Sequence, residues 1–257
     1  MSKDTNFDKH SIRFKKNIYD TPKGQLRLQL VLDDLMTNTK ILQEGRSLDI
    51  LDAGCGMGQV ALHLAEQGHR LTVCDISTAM IDSTQTRFKA SGRSADYINS
   101  SIQELDSQHS HKYDVIVFHA VLEWLEKPEL IIPEIKKRLK PGGYISLMFY
   151  NLNSIIFYNL LKGNFRKVMK QDFTGHPGGL TPTNPINPDE LEMWLKNNQI
   201  TVQKKTGIRV IYDYLSKKLK NERSYEDLLS MESIYGQQEP FNQMGRYLHY
   251  ICTVNME

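Results

Sequence analysis

This chain of 257 residues has few cysteines, short apolar runs and almost no excess of one charge. Its three cysteines, Cys55, Cys74 and Cys252, form no CxxC spacing, which argues against disulfides and structural zinc and favours a reducing compartment. The 32 basic and 30 acidic residues nearly cancel, so a nucleic-acid site would have to be a local patch. No apolar run approaches the roughly 20 residues that cross a bilayer.

The N-terminal residues 1–10 (MSKDTNFDKH) also lack the apolar core of a secretion signal. We therefore expect a cytoplasmic protein with no membrane partner and no bound metal. The length predicts one large domain with room for an insertion. Nothing in the composition indicates an oligomeric state.

Strand-like and helix-like segments alternate through the first half of the chain. Apolar segments predict strands at 47–52, 70–74, 95–99, 112–118 and 144–150. Helical patterns separate them at 59–67, 77–91 and 128–139, after an amphipathic helix at 25–44. This spacing predicts an α/β fold with a mostly parallel, Rossmann-like sheet and helices on both faces.

The alternation stops after residue 150. An extra helix is predicted at 152–168, a loop rich in Gly, Pro and Thr at 171–187, and a helix at 188–197 that Pro188 opens. Late strands are predicted at 201–212 and 245–254, with a helix at 225–234 between them. We expect a single domain with an N-terminal cap (1–45), a cofactor-binding half (46–150), an inserted helix and loop (151–187) and a substrate-side half (188–257).

A glycine-rich turn, Asp52-Ala-Gly-Cys-Gly-Met-Gly58, follows the first predicted strand. Ligands of open parallel sheets bind beyond the carboxyl ends of the strands. The spacing Gly-x-Gly-x-Gly differs from the Gly-x-Gly-x-x-Gly of dinucleotide folds. Asp52 is placed to meet an ammonium group, and Asp75, at the end of the second strand, is placed to accept ribose hydroxyls. Asp75 could instead cap the next turn.

Strand, acid, glycine turn, helix, strand and acid occur here in order, and Leu139-Lys-Pro-Gly-Gly143 precedes the fifth strand. This constellation resembles the class I S-adenosylmethionine-dependent methyltransferases. The resemblance implies that fold, with a late antiparallel strand, and S-adenosyl-L-methionine as cofactor.

Further segments resemble one family within that class, the bacterial tRNA 5-carboxymethoxyuridine methyltransferases. They are Asn6-Phe-Asp8, Asn17-Ile-Tyr19, Lys23-Gly-Gln-Leu-Arg27, Phe118-His-Ala-Val-Leu-Glu-Trp124, Ser146-Leu-Met-Phe-Tyr-Asn151, Gly163-Asn-Phe165, Lys205-Thr-Gly-Ile-Arg-Val210, Tyr212-Asp-Tyr-Leu215 and Gly245-Arg-Tyr247. The resemblance runs nearly end to end and implies methyl-ester formation on the carboxylate of 5-carboxymethoxyuridine at the tRNA wobble position. It makes the anticodon stem-loop of tRNA the expected partner.

The family resemblance also implies a set of cofactor contacts, to which the turn itself adds Asp52 and Gly56. The expected cofactor-binding residues are Arg27, Asp52, Gly54, Cys55, Gly56, Asp75, Ile102, Gln103 and His119. Three of these residues also have simpler interpretations. Arg27 could be a charge on a helix surface, Gln103 a helix cap and His119 a structural histidine.

Two departures from the family pattern stand out. Cys55 and Met57 replace a glycine and an acid, although backbone contacts would survive that change. Residues 171–179 (QDFTGHPGG) replace a basic run of some members, which puts a phosphate contact from this loop in doubt.

A carboxylate acceptor is already ionised at neutral pH, so we expect no catalytic residue acting as general base. Arginine and tyrosine donors could orient it; the candidates are Arg209, Tyr212, Arg246 and Tyr150. Arg209 could equally contact a phosphate or form a surface salt bridge.

Basic residues are candidates for tRNA contact, although such runs are usually solvated helix faces. They are Lys15, Lys16, Lys23, Lys162, Arg166, Lys167, Lys170, Lys204, Lys205, Lys217, Lys218 and Lys220. The rival functions are a methyltransferase acting on a small carboxylic acid or phenol, a non-catalytic RNA-binding protein that keeps the cofactor, and a nicotinamide oxidoreductase, which the glycine spacing disfavours.

Overall fold

The computed structural model describes residues 21–105, 111–173, 182 and 184–254, in which seven strands form one sheet. The strands are β1 (Asp49–Ala53), β2 (Arg70–Cys74), β3 (Asp96–Ile98), β4 (Tyr113–His119), β5 (Leu139–Tyr150), β6 (Ile200–Ile208) and β7 (Tyr247–Val254). Their spatial order is β3-β2-β1-β4-β5-β7-β6. Strands β1 to β5 pair in parallel, and β7 is antiparallel to β5 and to β6. The predicted mostly parallel sheet with a late antiparallel strand is confirmed.

Helices flank the sheet. They are α1 (Pro22–Asn38), α2 (Gln59–Glu66), α3 (Thr78–Ala90), α4 (Ile131–Lys137), α5 (Leu152–Leu161), α6 (Phe165–Met169), α7 (Pro188–Asn197), α8 (Lys217–Glu222) and α9 (Tyr225–Gly236). Short 3-10 helices lie at Lys40–Gln43, Leu122–Trp124, Pro128–Leu130, Tyr212–Tyr214 and Phe241–Met244.

Alternate strand residues supply two cores on opposite faces of the sheet. In β1, Leu51 belongs to the core that packs under α4 and α7, whereas Ile50 belongs to the core under α1, α2 and α3. Ile116 and Val115 of β4 divide in the same way. The central strands are apolar on both faces because both are covered.

Side-chain caps set several helix starts. Thr21 Oγ1 accepts a hydrogen bond from Gly24 N at the start of α1, and Ser77 Oγ accepts one from Met80 N at the start of α3. Asn187 caps α7 just before Pro188, whose fixed φ suits a first helical turn.

Five predicted elements differ from the structure. The helix predicted at 152–168 is two helices, because Gly163 adopts φ 69° and ends α5. The segment at 25–44 is α1 followed by a separate 3-10 turn, and the helix predicted at 128–139 also begins as a 3-10 turn before α4. Strand β5 begins at Leu139, so the Lys-Pro-Gly-Gly segment lies within it. Strand β6 ends at Ile208 rather than at residue 212, because Arg209 has φ 62°.

Candidate functional site

The glycine turn leaves β1 at the carboxyl end of the sheet. Gly54 and Gly58 have φ values of 74° and 66°, which favour glycine. A Cβ at Gly54 would lie 2.3 Å from Val121 Cγ2, and one at Gly58 would lie 2.4 Å from Thr84 Cγ2. Backbone conformation and space thus both require glycine at these two positions.

Strand β2 and the residue after it hold the turn in place. Gly54 N and Cys55 N both donate to Cys74 O, at 2.8 and 3.1 Å. Asp75 accepts from Gly56 N through Oδ2 and from Ser77 N through Oδ1, each at 2.9 Å. Asp75 therefore does cap the next turn, but a carboxylate has about four acceptor sites, so ribose hydroxyls could still bind it.

The turn borders a cavity that we call the glycine-turn cavity. It also reaches α1, the segment after β3 and the end of β4. All nine residues predicted to contact cofactor line it: Arg27, Asp52, Gly54, Cys55, Gly56, Asp75, Ile102, Gln103 and His119. Arg27 therefore faces a cavity, rather than being only a surface charge on its helix.

The acidic side of the cavity is electrostatically unusual. Asp52 is buried, and burial together with the neighbouring charge of Asp75 raises the pKa of Asp52 to about 7. A cation placed beside the two carboxylates would relieve this repulsion. Burial also raises the pKa of the Cys55 thiol well above its usual value, so Cys55 is not an activated nucleophile.

Two residues that line the cavity each have a buried polar atom without a hydrogen-bond partner, Gln59 Oε1 and His119 Nδ1. Buried polar atoms are normally paired. A polar ligand beside these residues could supply the missing partners.

A buried chain of hydrogen bonds holds the His119 ring. His119 Nε2 lies 2.7 Å from Ser146 Oγ, which lies 2.7 Å from His249 Nε2. His249 Nδ1 in turn lies 2.5 Å from Asp34 Oδ2, and Thr206 donates to the other oxygen of Asp34. We call Asp34, His249, Ser146 and His119 the histidine relay.

Burial lowers the pKa of His119 well below its usual value, and the neighbouring charges of His249 and Arg27 lower it further. His119 is therefore neutral at physiological pH. Ser146 Oγ thus joins the Nε2 atoms of the two histidines, and Asp34 binds Nδ1 of His249 at the inner end of the chain. Nδ1 of His119 is buried and has no hydrogen-bond partner among the described residues.

At the start of α1, Lys23 and Arg27 lie close to two arginines and one carboxylate from the C-terminal part of the chain. Asp213 lies 2.9 Å from Arg209 Nε through Oδ2 and 3.4 Å from Arg246 Nε through Oδ1. Lys23 and Arg27 complete the set, which we call the cationic cluster. Burial lowers the pKa of Lys23, and the charges of Arg209 and Arg246 lower it further. The cluster therefore carries more positive than negative charge.

Tyrosine rings separate these cations. The guanidinium carbons of Arg27 and Arg209 each lie 5.5 Å from the ring centroid of Tyr247, within cation–π range. Arg246 donates to Tyr150 Oη at 3.4 Å. Burial raises the pKa of Tyr150 to about 12, so its hydroxyl keeps a proton that it can donate.

Backbone strain marks Arg209. It is only 7% exposed and has φ 62°, which is rare for a non-glycine residue. The Glu232 carboxylate accepts three successive backbone N–H groups, from Val210, Ile211 and Tyr212, and so imposes the turn. Arg209 Nε and Asp213 Oδ2 approach without hydrogen-bond geometry, so both retain unused bonding capacity. Strain supported in this way is typical of functional sites.

The structure brings three of the four predicted acceptor-site residues together and leaves the fourth apart. Arg209, Arg246 and Tyr150 meet in or beside the cationic cluster. The Tyr212 ring instead packs against the apolar group around Leu30 and Met148 and carries Lys220 Nζ at 4.7 Å.

Sequence reasoning missed Asp213, Tyr247, Glu232 and the inner members of the histidine relay. One signal was present: Asp34 and Glu232 occupy buried helix positions among apolar residues. Buried acids are rare unless they are paired.

Comparisons with known proteins agree with this geometry. Residues 51–147 match the family described as "Methyltransferase domain". The chain resembles the magnesium protoporphyrin IX methyltransferase from Synechocystis PCC 6803 with bound SAH, at a TM-score of 0.65 and 14% identity over 97% of this chain and 96% of that one. It also resembles the plantazolicin methyltransferase BpumL, at a TM-score of 0.60 and 18% identity over 96% of this chain and 90% of that one. The fold and the glycine turn define a class I S-adenosylmethionine-dependent methyltransferase.

A much stronger likeness covers almost the whole chain. The tRNA 5-carboxymethoxyuridine methyltransferase of Escherichia coli (strain K12) is 38% identical over 250 residues, which cover 96% of this chain and 95% of that protein. The chain belongs to the tRNA 5-carboxymethoxyuridine methyltransferase family. A ubiquinone biosynthesis O-methyltransferase from Saccharophagus degradans matches at 29% over 62% of this chain and 66% of its own length.

In the part of the chain that the structure describes, no helix is long and apolar enough to span a membrane. The same residues contain no group of three or more His, Cys, Asp or Glu side chains that could hold a metal ion.

Proposed function

We propose that this protein transfers a methyl group from S-adenosyl-L-methionine to the carboxylate of 5-carboxymethoxyuridine at the wobble position of cytoplasmic tRNA, giving the methyl ester. The observation that carries the proposal is the adjacency of two sites: the glycine-turn cavity and the cationic cluster share Arg27. The names of the Escherichia coli relatives support the substrate.

The cavity suits S-adenosylmethionine, which when bound supplies an electrophilic methyl group on a sulfonium. Arg27 would bind the methionyl carboxylate and Asp52 the ammonium, because a guanidinium pairs with a carboxylate and a buried acid pairs with a cation. Asp75 would accept the ribose hydroxyls, with Gly54, Cys55 and Gly56 close to the amino-acid part. Ile102 and Gln103 would flank the adenine. His119 would lie against the cofactor.

The cationic cluster suits a carboxylate acceptor. Arg209 is buried and Arg246 is partly buried, and both guanidiniums pair with one carboxylate, Asp213. A substrate carboxylate would give these two guanidiniums a second ion-pair partner. Tyr150 would donate a neutral hydrogen bond.

Chemistry at this site then depends on position rather than on proton transfer. The acceptor carboxylate is ionised at neutral pH, so a general base has nothing to remove. Arg209 and Arg246 orient it and exclude water, and fixing two reactants in this way contributes several kcal/mol. A phenol acceptor would instead need a base, and His119 is a poor one because its pKa is lowered.

The test is incubation of the purified protein with methyl-labelled S-adenosylmethionine and tRNA that carries 5-carboxymethoxyuridine. The matched control is the same tRNA with an unmodified wobble uridine. We expect label only in the modified tRNA, and we expect mild base to release it, as it would from an ester. Label in the control tRNA, or base-stable label, would contradict the proposal. Label transferred only to small carboxylic acids or phenols, or cofactor binding without transfer, would establish one of the rival functions.

A further inference from the structure

A helical hairpin beside the cationic cluster carries positive charge without any acid. It consists of α5, the turn at Gly163 and α6. Residues 152–171 contain Lys162, Arg166, Lys167 and Lys170 and no aspartate or glutamate, and Asp172 follows them directly. This basic hairpin therefore concentrates charge in a chain whose net charge is only +2.

The basic hairpin also exposes apolar side chains. Eleven large apolar side chains are exposed among the described residues, and five of them lie here. They are Phe157 at 38%, Leu160 at 43%, Leu161 at 60%, Phe165 at 60% and Met169 at 84% exposed. Exposed apolar groups that cluster in this way indicate a contact surface.

Tyr158 joins the basic hairpin to the cationic cluster. Its ring centroid lies 5.0 Å from Lys162 Nζ and 5.0 Å from Arg246 Cζ. Tyr214, next to Asp213, donates to Ser154 Oγ at 3.0 Å and packs its ring against Phe157 at 5.3 Å. Positive potential therefore extends from the buried cluster onto the exposed hairpin without an intervening acid on α5.

We propose that the basic hairpin is the RNA-binding surface for the anticodon loop of the tRNA substrate, an inference that rests on the proposed function. Phosphates flanking the bound nucleotide would contact its cations, and unstacked loop bases would pack on Phe165 and Met169. Single-stranded RNA is recognised by this combination of cations and apolar or aromatic platforms. An anionic lipid surface would attract the same charges, but the continuity with the acceptor site favours RNA.

The test compares two double charge reversals. R166E/K167E alters α6, and the matched control K89E/R93E alters exposed basic residues at the end of α3. Both change the net charge by the same amount. Glutamate is a good helix former and is favourable in the first turn of a helix, so α6 should persist. Circular dichroism and the dissociation constant for S-adenosylmethionine report on the fold and the cofactor site.

We expect R166E/K167E to raise the tRNA dissociation constant and KM roughly tenfold or more, with kcat at saturating tRNA unchanged. The salt dependence of binding should become shallower by about 1.4, because each lost single-strand phosphate contact accounts for about 0.7. K89E/R93E should change tRNA affinity less than about threefold. The Phe165→Ala variant should weaken tRNA binding without changing that salt slope.

Equal effects of the two double variants on tRNA binding would overturn the inference. So would loss of binding to anionic phosphatidylserine vesicles with tRNA binding unchanged. The two proposals fail separately. A wild-type protein that binds tRNA through the hairpin but transfers no methyl group would refute only the proposed function. Methyl transfer with an unchanged KM for tRNA in R166E/K167E would refute only the surface.

Discussion

The glycine-turn cavity and the cationic cluster are adjacent, but the chain builds them in different ways. The turn follows β1 directly, and the next strand holds it through Cys74 and Asp75, about 20 residues later. The cationic cluster joins Lys23 and Arg27 on α1 to Arg209, Asp213 and Arg246 near the C-terminal end. The antiparallel strand β7 brings these distant parts together. A cofactor site can therefore be carried by a local segment, whereas an acceptor site here depends on the completed fold.

The largest effect is expected when a side chain is added to a glycine of the turn that borders the glycine-turn cavity. In Gly54→Ala, the new Cβ would clash with Val121, so we expect unfolding stability to fall by about 2–4 kcal/mol and S-adenosylmethionine affinity to fall roughly hundredfold or more. Calorimetry and thermal melting measure the two effects. The control is Gly92→Ala, which has a similar φ of 64° but no atom within 4 Å of the new Cβ. Equal losses of cofactor affinity in the two variants would contradict this reading of the turn.

The second site should fail separately from the first. Arg209→Ala removes a buried guanidinium that does not line the glycine-turn cavity. We expect kcat/KM for modified tRNA to fall about 30- to 100-fold, or roughly 2–3 kcal/mol, with cofactor affinity within about twofold of wild type. Steady-state kinetics and cofactor titration measure the pair, and Arg209→Lys should recover only part of the loss because it lacks the planar fork. Equal loss of methyl transfer and cofactor binding would contradict the assignment of Arg209 to the acceptor site.

The histidine relay holds His119 beside the glycine-turn cavity, and Ser146→Ala should interrupt it. Nε2 of both His119 and His249 would lose its partner, which we expect to weaken S-adenosylmethionine binding about tenfold. Thr206→Val is the control, because it removes a hydrogen bond to Asp34 and leaves the His119 contact intact. The same cofactor dissociation constant in both variants would argue that the relay is only structural.

The smallest expected effect concerns pH. Because burial and Asp75 raise the pKa of Asp52 to about 7, the carboxyl is mostly protonated below pH 7 and must release its proton to pair with an ammonium group. We therefore expect S-adenosylmethionine affinity to fall severalfold as pH drops from 8 to 6. Titration at both pH values measures it, and Asp52→Asn should bind more weakly and independently of pH. An unchanged pH dependence of cofactor affinity in Asp52→Asn would assign the titration to another group.

The sequence predicted best those site residues that directly follow or end a strand. Gly54, Asp75 and His119 stand at strand ends, so the strand pattern alone brings them to one edge of the sheet. Arg27 required the family resemblance, because nothing in a helix pattern tells a cavity-facing arginine from a solvated one.

Other features depend on pairings that no local pattern encodes. Asp34 and His249 are 215 positions apart, yet they meet in the buried relay. The bend at Arg209 depends on Glu232, whose carboxylate ends strand β6 early. Residues 1–20, which include Lys15 and Lys16, and most of the loop at 174–183 lie outside the described residues, so those tRNA-contact candidates stay predictions.

The most direct test of the two-site account is a crystal structure of the protein with S-adenosylhomocysteine and the nucleoside 5-carboxymethoxyuridine. The account predicts the cofactor product in the glycine-turn cavity and the nucleoside carboxylate within hydrogen-bonding distance of Arg209 or Arg246. A nucleoside bound with its carboxylate away from both arginines, or a cofactor product outside that cavity, would contradict it.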